Sequence, residues 1–410
     1  MTDDGQRITI YAAGGVRSLV TGLTGVLLGL YLASIGLSAA QLGAIVALGL
    51  AGGALGTAVV ALGGERFGRR RMLLATSALP VVGLAAFALS ASPPVLAVTA
   101  FCGMLNGVGR DRGPAQALDQ SALADAVGDA HRTAAFTRYT FVQDVLGALG
   151  SLAAAVPALL ERGLGLGAVP AYRATFAAAA ALSLLPLVLY ARLPAAPGGA
   201  ALSPPIPRLA GRLSPVTRRR VAGLSGLFAL DSVGGGFLAG SILSYWFFRR
   251  FDLGGAALGP VFFAARALNA VSYFAAEQLA RRFGLVRTMV FTHLHSSLIL
   301  LALPFVPSAW LVIALFLLRE SLVQMDVPAR QSYVAAVTAP GERTLALGVT
   351  SLVRNAGWAV GPGLAGAAMA AFGLGAPLVL GAVLKAVYDV ALYVSYRGVK
   401  PPEERVAGGG

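Results

Sequence analysis

The sequence predicts an all-α membrane protein with twelve transmembrane helices in two pseudo-symmetric six-helix bundles. Hydrophobic residues make up 57% of the 410-residue chain and charged residues only 12%, whereas a soluble domain carries about 25% charge. Twelve apolar stretches reach the roughly 20 residues that a bilayer-spanning helix needs. The second six echo the first, because Gln120-Ser121 recurs as Gln331-Ser332 and Gly150 as Gly361, both 211 positions later (331 − 120 and 361 − 150).

The twelve predicted spans divide the chain into two halves. The first six cover 11–35, 39–62, 71–91, 94–118, 133–160 and 170–192, and the second six cover 220–247, 255–278, 287–306, 309–333, 344–371 and 376–397. We therefore predict an N-terminal bundle over 1–192, a basic Pro-rich linker over 193–219, a C-terminal bundle over 220–397 and a tail over 398–410. Repeated membrane units of this kind are typical of transporters whose halves move around a central site.

The positions of the arginines predict the topology. Loop 66–71, the linker and loop 281–287 are rich in arginine, whereas the loops around Pro93 and Pro307 carry no charge. Positively charged loops stay on the cytoplasmic side, so we expect both termini there. Abundant Ala and Gly indicate a GC-rich bacterial genome and hence a bacterial inner membrane. The net charge of +14 follows this loop pattern, and we expect no nucleic-acid partner.

The loop between helices two and three carries the most specific motif. It reads Gly64-Glu65-Arg66-Phe67-Gly68-Arg69-Arg70-Arg71, and a weaker copy, Glu277-Gln278-Leu279-Ala280-Arg281-Arg282-Phe283-Gly284, lies between helices eight and nine. The first loop resembles the signature loop of the major facilitator superfamily, with Glu65 where Asp is usual. The resemblance implies the major facilitator fold and a latch at the cytoplasmic gate. The predicted gating residues are Glu65, Arg66, Gly68, Arg69, Arg70, Glu277, Arg281, Arg282 and Gly284.

The chemistry of this loop is consistent with a latch. Gly68 permits a tight turn, and Glu65 can accept hydrogen bonds from the positive N-terminus of a neighbouring helix. The alternative is that the arginines only anchor the topology at anionic headgroups.

Charged and polar side chains also lie inside the predicted spans. A charge at a helix centre costs about 2.5–3.5 kcal/mol on insertion scales, so these groups must face protein or water. Asp144 on helix five has Asn355 as its counterpart in helix eleven, and Asp231 lies beside Ser232 on helix seven. The predicted substrate and proton pathway consists of Arg17, Thr21, Thr24, Tyr31, Asp144, Asp231, Arg266, Asn269, Tyr273, Arg319, Glu320 and Asn355.

Some of the charges have a purely structural alternative. On helix ten, Arg319, Asp326 and Arg330 follow helical spacing and form one stripe, with Pro328 expected to kink the helix. Pairing between helices is the alternative for Arg110, Asp111, Arg112, Asp326 and Arg330. Lys385 and Asp389 are four residues apart, so we expect them to neutralise each other. His293 is open to either interpretation.

Three functional classes are compatible with a polytopic membrane chain. We favour a secondary transporter that exports a small organic molecule in exchange for protons. The second class is a proton symporter or facilitator for an anionic metabolite, which Arg17, Arg266 and Arg319 would suit. The third is a membrane receptor or enzyme, but the chain has no phosphate loop, dinucleotide fingerprint, metal-ligand spacing or nucleophile motif. We therefore expect no catalytic residue, cofactor or metal, and a monomer in the bilayer.

Overall fold

The computed structural model describes residues 3–127, 129–193, 214–338 and 342–398. Within these ranges only the backbone is described, and not the side chain, at positions 3, 61–66, 125, 129–133, 273–274, 328, 331–332, 335–336 and 343–344. Most of the predicted linker and nearly all of the predicted tail therefore lie outside the described residues.

All twelve predicted spans are occupied by helix. In the first half the helices are α1 Asp3–Ser34, α2 Ala39–Phe67, α3 Arg69–Leu89, α4 Pro93–Cys102, α5 Pro114–Ala126, α6 Asp129–Leu152, α7 Val156–Leu164, α8 Ala168–Leu182 and α9 Leu184–Ala191. In the second half they are α10 Pro215–Gly236, α11 Gly240–Phe251, α12 Gly255–Phe283, α13 Leu285–Ala302, α14 Ala309–Val323, α15 Asp326–Ala336, α16 Arg343–Phe372 and α17 Ala376–Tyr396. The predicted all-α class is confirmed.

Eight of the twelve spans are long and apolar enough to cross a membrane by length and composition alone, within the described residues. Spans four, eight, ten and eleven fall short of that measure. Span eight carries Arg266 and Glu277, and span ten carries four charged residues. Spans four and ten are interrupted, and spans eight, ten and eleven carry internal charges, which need partners inside the protein.

The prediction of a continuous helix over 94–118 is wrong. Residues 103–113 between α4 and α5 are not helical, and Met104 and Gly109 adopt positive φ angles of 51° and 90°. The Asn106 amide donates to the Arg110 carbonyl (2.6 Å), and its oxygen accepts from the Val108 N–H (2.8 Å). These bonds satisfy backbone groups that an unwound segment would otherwise leave bare, a condition for irregular backbone at membrane depth.

Two further spans are interrupted. Span seven breaks between α10 and α11, and span ten breaks at Gln324 and Met325. The predicted kink at Pro328 takes the form of a new helix, because α15 starts at Asp326 and places Pro328 in its first turn. Proline is tolerated there, since a first-turn N–H has no partner within the helix.

The chain contains two compact units. Unit 1 comprises Met1–Pro205, Ala239–Phe263 and Pro362–Leu374, and unit 2 comprises Ile206–Leu238, Ala264–Gly361 and Gly375–Gly410. The core of unit 2 includes Phe228, Met289, Tyr333, Tyr388 and Leu392. The predicted domain bounds at 192/193 and 219/220 remain predictions.

Glycines bring helices into backbone contact in both units. A Cβ atom on Gly150 of α6 would lie 1.9 Å from the Leu19 carbonyl oxygen of α1. Its repeat counterpart Gly361 of α16 would place a Cβ 2.5 Å from the Gly236 Cα of α10. Small residues permit such close approach of membrane helices. The repeated glycine therefore has the same packing role in each half of the sequence.

Candidate functional site

Asp231 on α10 lies at the centre of a buried charged cluster in unit 2. Its side chain is almost fully buried, and Oδ1 accepts a hydrogen bond from Nζ of Lys385 on α17 at 2.7 Å. Oδ2 lies 3.5 Å from a guanidinium nitrogen of Arg330 on α15. A carboxylate in this position is stabilised by two cations supplied by two other helices. The predicted pairing of Lys385 with Asp389 is replaced here by the bond to Asp231.

His293 on α13 joins the other end of this cluster. Its Nδ1 lies 2.9 and 3.0 Å from the two carboxylate oxygens of Asp389 on α17. Its Nε2 lies 3.3 Å from Nζ of Lys385 and 3.4 Å from Oδ1 of Asp231. All four side chains are at least nine-tenths buried. Sequence reasoning singled out Asp231 but did not place His293, Lys385 or Asp389 in the pathway.

Arg330 completes the cluster on the α15 side. It donates to Asp326 four residues earlier at 2.7 Å, and its guanidinium lies 5.6 Å from the Phe228 ring centroid. The expected pairing between helices therefore occurs for Arg330 with Asp231, whereas Asp326 and Arg330 pair within one helix. We call the residues Asp231, His293, Asp326, Arg330, Lys385 and Asp389 the α10–α17 cluster.

A second polar group lies nearby on α14 and α12. Asn269 donates to Glu320 at 2.9 Å, and the Arg319 guanidinium donates to the same carboxylate group. Because the helix is interrupted after Val323, the predicted single stripe of Arg319, Asp326 and Arg330 does not run unbroken through span ten. The structure thus brings together three predicted pathway residues, and the Arg319 charge is neutralised locally.

Unit 1 contains a comparable cluster around Arg17. The Arg17 guanidinium donates to Asp119 at 2.8 Å and lies 3.1 Å from Asp111. Asp119 is fully buried and also accepts from the hydroxyls of Tyr139 (2.9 Å) and Tyr190 (2.8 Å). Of these residues, sequence reasoning named Asp111 as a candidate for pairing between helices and missed the tyrosines. One signal was available, since Arg17 is the only charge in span one and requires a carboxylate from another helix.

The two clusters have related positions and opposite polarity. Asp119 on α5 and Arg330 on α15 are repeat counterparts, 211 positions apart (330 − 119). In unit 1 the acidic member faces Arg17 of span one, whereas in unit 2 the basic member faces Asp231 of span seven. One member of each ion pair is therefore a repeat counterpart, with opposite charge in the two halves of the sequence.

The remaining predicted residues of spans one, five and eleven are more dispersed. Thr24 donates to the Asn106 carbonyl at 3.3 Å, and Tyr31 donates to the Ser90 carbonyl at 3.0 Å. Asp144 is half-buried and has no hydrogen bond or ion pair among the described residues, while Asn355 is exposed. Gln143, the residue before Asp144, donates a hydrogen bond to Asp111 at 3.3 Å and so belongs to the Arg17 cluster.

Three other predicted pathway residues lie on spans one and eight. Thr21 and Arg266 are half-buried, and the Thr21 carbonyl accepts from Thr24 at 3.1 Å. The Tyr273 side chain lies outside the described residues.

The two predicted gating loops share a backbone conformation. Gly68 and Gly284 have φ angles of 78° and 86°, and each directly precedes the next helix. Only glycine adopts this left-handed region without strain, so both turns require it.

The basic side chains of these loops have identifiable partners. Arg70 donates to the Ala191 carbonyl at 2.5 Å, and Arg69 donates to Ser121 at 3.4 Å. Glu277 pairs with Arg281 at 3.3 Å on the exposed surface of α12, and Arg282 lies against the Phe283 ring. The side chains of Glu65 and Arg66 lie outside the described residues.

Comparisons with known proteins agree with this architecture. The sequence profile of the Major Facilitator Superfamily matches residues 10–325. An uncharacterized membrane protein of Saccharomyces cerevisiae, YJR124C, is 24% identical over 382 residues, which cover 86% of this chain and 85% of that protein. The crystal structure of the nucleoside transporter NupG has a TM-score of 0.76 at 10% identity and covers 96% of this chain and 99% of its own.

Another similar structure is an inward-open form of the xylose transporter XylE from E. coli. It has a TM-score of 0.67 at 15% identity, covering 94% of this chain and 96% of that chain. Identities this low describe a common fold.

Proposed function

This chain belongs to the Major Facilitator Superfamily, and on that premise we propose that it is a secondary transporter that exports a small organic molecule in exchange for protons. Members of such a fold move solutes by alternating access around a site between two repeats. The transporter class follows from the family, whereas the direction, the coupling ion and the substrate class are part of the proposal.

The observation that carries the proton coupling is the environment of Asp231. This carboxylate is buried in a membrane span and is approached by Lys385, His293 and Arg330 from three other helices. Ionisable residues inside membrane spans are costly and mark ion or proton relays. A structural pair would need one counter-ion, and the additional contacts of Asp231 with His293 and Arg330 favour a site whose charge changes during the cycle.

Two arginines are already paired with carboxylates, and this favours export of a neutral or cationic molecule over transport of an anion. An anion site would need cations that are available to the substrate. Arg17 is already bound by two carboxylates and Arg319 by Glu320. Of the three arginines that would suit an anion, two have their charge neutralised within the protein.

We also propose roles for the loops and the membrane context. The turns at Gly68 and Gly284 form the gating loops on the cytoplasmic side, with Glu65 and Arg66 in the latch. We place the chain in the bacterial inner membrane as a monomer, with both termini cytoplasmic. The arginine-rich loops support this orientation through the positive-inside rule.

The proposal is tested by solute transport in liposomes. Purified chain is first screened by thermal shift against uridine, D-xylose, a dipeptide, 5-aminolevulinic acid and ethidium. Each compound that stabilises the protein is then radiolabelled and followed in proteoliposomes with an imposed proton gradient. We expect movement of the solute against the direction of proton flow. Movement in the same direction as the protons would refute export by exchange and favour the symporter.

A further inference from the structure

We propose that His293 is the residue that takes up the proton, and that its protonation transfers Asp231 from Lys385 to His293. The inference deepens the proposed function and rests on it. It assigns a switch of ion-pair partners to three residues on α10, α13 and α17.

The geometry determines which ring nitrogen carries hydrogen. Nδ1 of His293 contacts both oxygens of Asp389, at 2.9 and 3.0 Å. With Asp389 ionised, its oxygens only accept, so Nδ1 is the donor. Nε2 lies 3.3 Å from Nζ of Lys385, and an ammonium group only donates. Nε2 is therefore the acceptor, and the ring is neutral with its hydrogen on Nδ1, an assignment made from the hydrogen-bond network.

These contacts form one directed chain across three helices. Lys385 donates to Asp231 and to Nε2 of His293, and Nδ1 of His293 donates to Asp389. The Lys385 stem also packs where α17 meets α10, since a Cβ on Gly234 would lie 3.2 Å from its Cγ. The bond between Lys385 and Asp231 thus ties α10 to α17 at a close contact.

The charges around His293 balance when the ring is neutral. Three carboxylates belong to the α10–α17 cluster: Asp231 from α10 and Asp389 from α17, which contact the ring, and Asp326 from α15, which pairs with Arg330. Three cations offset them: Arg330 from α15, Lys385 from α17 and Arg354 from α16. The charge of Arg354 attracts the carboxylates of Asp231 and Asp326. On α14, Arg319 is neutralised by Glu320, and the Tyr388 ring packs edge-on against the imidazole at 5.7 Å. An added proton leaves one uncompensated positive charge, which is costly in a buried site.

Proton uptake at Nε2 changes the partners. The new N–H points at the Lys385 ammonium 3.3 Å away, and two positive groups at that distance repel. Oδ1 of Asp231 lies 3.4 Å from the same nitrogen and accepts the new hydrogen bond. Lys385 keeps its three protons and passes to Asp389, four residues along α17 and on the same face. The direct Lys385–Asp231 bond between α10 and α17 is thereby broken by a proton taken from water.

The sequence permits a direct spectroscopic test, because the chain has three histidines and two lysines. The full chain is labelled with ¹⁵N-histidine and ¹⁵Nζ-lysine in lipid nanodiscs and titrated from pH 9 to pH 4. His293→Gln and Lys400→Gln assign the signals. His295→Gln is the matched control, since His295 is exposed and two residues away. We expect a neutral Nδ1–H ring at high pH, and a change of the Lys385 signal at the same pH as His293 protonation.

Two variants sharpen the test. Lys385→Gln removes the adjacent positive charge, so His293 should take up its proton at a higher pH than in the parent protein. In His293→Gln the Lys385 signal should lose its pH response, while His295→Gln keeps it. An Nε2–H ring at high pH, or a Lys385 signal that ignores His293 protonation, would overturn the inference.

The outcome separates this inference from the proposed function. If solute-driven proton movement persists in His293→Gln, proton coupling stands and His293 is not the carrier. If His293 and Lys385 respond together but no solute moves protons in the parent protein, the switch stands and proton-coupled export is refuted.

Discussion

Asp119 is the fully buried carboxylate of unit 1, and its charge is compensated by one arginine and two tyrosine hydroxyls. Arg17→Gln removes the cation and leaves the carboxylate in a buried site. Breaking one partner of a buried pair costs about 3–5 kcal/mol. We expect a correspondingly large loss of unfolding free energy, measured by denaturant titration in detergent.

Matched variants separate pairing from simple loss of an arginine. Arg7→Gln breaks the exposed pair with Asp4 and should cost about 0–1 kcal/mol. The double variant Arg17→Gln with Asp119→Asn removes both charges and should recover much of the stability. Equal losses in the single and double variants would contradict a buried ion pair.

For individual residues, the sequence predicts which charged side chains need a partner, but not which residue that partner is. Arg17, Asp231, Arg319 and Glu320 are identifiable because charges inside apolar spans must be compensated. Their actual partners depend on how each helix is rotated about its axis, which hydropathy does not determine. Lys385 illustrates this, since spacing along α17 suggested Asp389 and the fold supplies Asp231.

At the scale of single elements, backbone contact between α1 and α6 depends on Gly150. A methyl group there would meet the Leu19 carbonyl oxygen at 1.9 Å. Backbone atoms cannot move aside, so Gly150→Ala should destabilise unit 1 and lower its melting temperature. Gly348→Ala is the matched control, because no atom lies within 4 Å of its added Cβ. It should be neutral or stabilising, since alanine favours helix. A lower melting temperature for Gly348→Ala alone would contradict the described packing.

The start of α10 has a pH-dependent cap. Hydrogen bonds from Thr217 and from the Ser214 backbone and hydroxyl hold the pKa of Glu342 below its usual value of 4.5. A lowered pKa means that the ionised carboxylate stabilises the fold above pH 4.5, and that this contribution is lost as pH falls through the lowered value. The protection factors of the Ser214 and Thr217 amides should therefore fall at low pH and already be low in Glu342→Gln at neutral pH. Identical protection in both proteins would exclude this cap.

At the level of helices, the interruptions within spans are the feature that the sequence did not predict. Hydropathy located spans four, seven and ten, but it gave each as one helix. The unwound segment 103–113 depends on hydrogen bonds from the Asn106 side chain and on a positive φ at Gly109. Such local bonds leave little trace in a hydropathy pattern. Pro328 did signal a change in span ten, although not a separate helix.

At the scale of the whole molecule, helices from both sequence halves pack together within unit 1. Ser244 of α11 donates to the Val26 carbonyl of α1 at 2.8 Å, and the Ser241 N–H donates to the Gly107 carbonyl at 2.9 Å. Alternating access requires contacts between the halves to open and close in each cycle. These bonds are therefore expected to break during transport.

Thiol labelling tests that expectation in a chain with Cys102→Ser. Ser244→Cys should resist a membrane-impermeant maleimide at rest, because the site is fully buried, and should react during turnover. Ser38→Cys is exposed and should react under all conditions. Active transport with no labelling of Ser244→Cys would contradict opening at this contact.

The architecture itself was accessible from the sequence because two independent signals agree. Apolar length gave the twelve spans, and the 211-residue repeat indicated their duplication. Both signals concern regular features that many residues share. Substrate specificity depends on a few side chains from separate helices, and for that reason the repeat does not predict the substrate.

The most direct test of the account is proton movement that depends on solute. Proteoliposomes containing the parent protein, Asp231→Asn or Asp144→Asn are loaded with the pH dye pyranine and exposed to the compounds found by thermal shift. Asp252→Asn, an exposed carboxylate, is the matched control. We predict a dye response in the parent and Asp252→Asn proteins and none in the other two variants. An undiminished response in both Asp231→Asn and Asp144→Asn would contradict a proton path through these carboxylates.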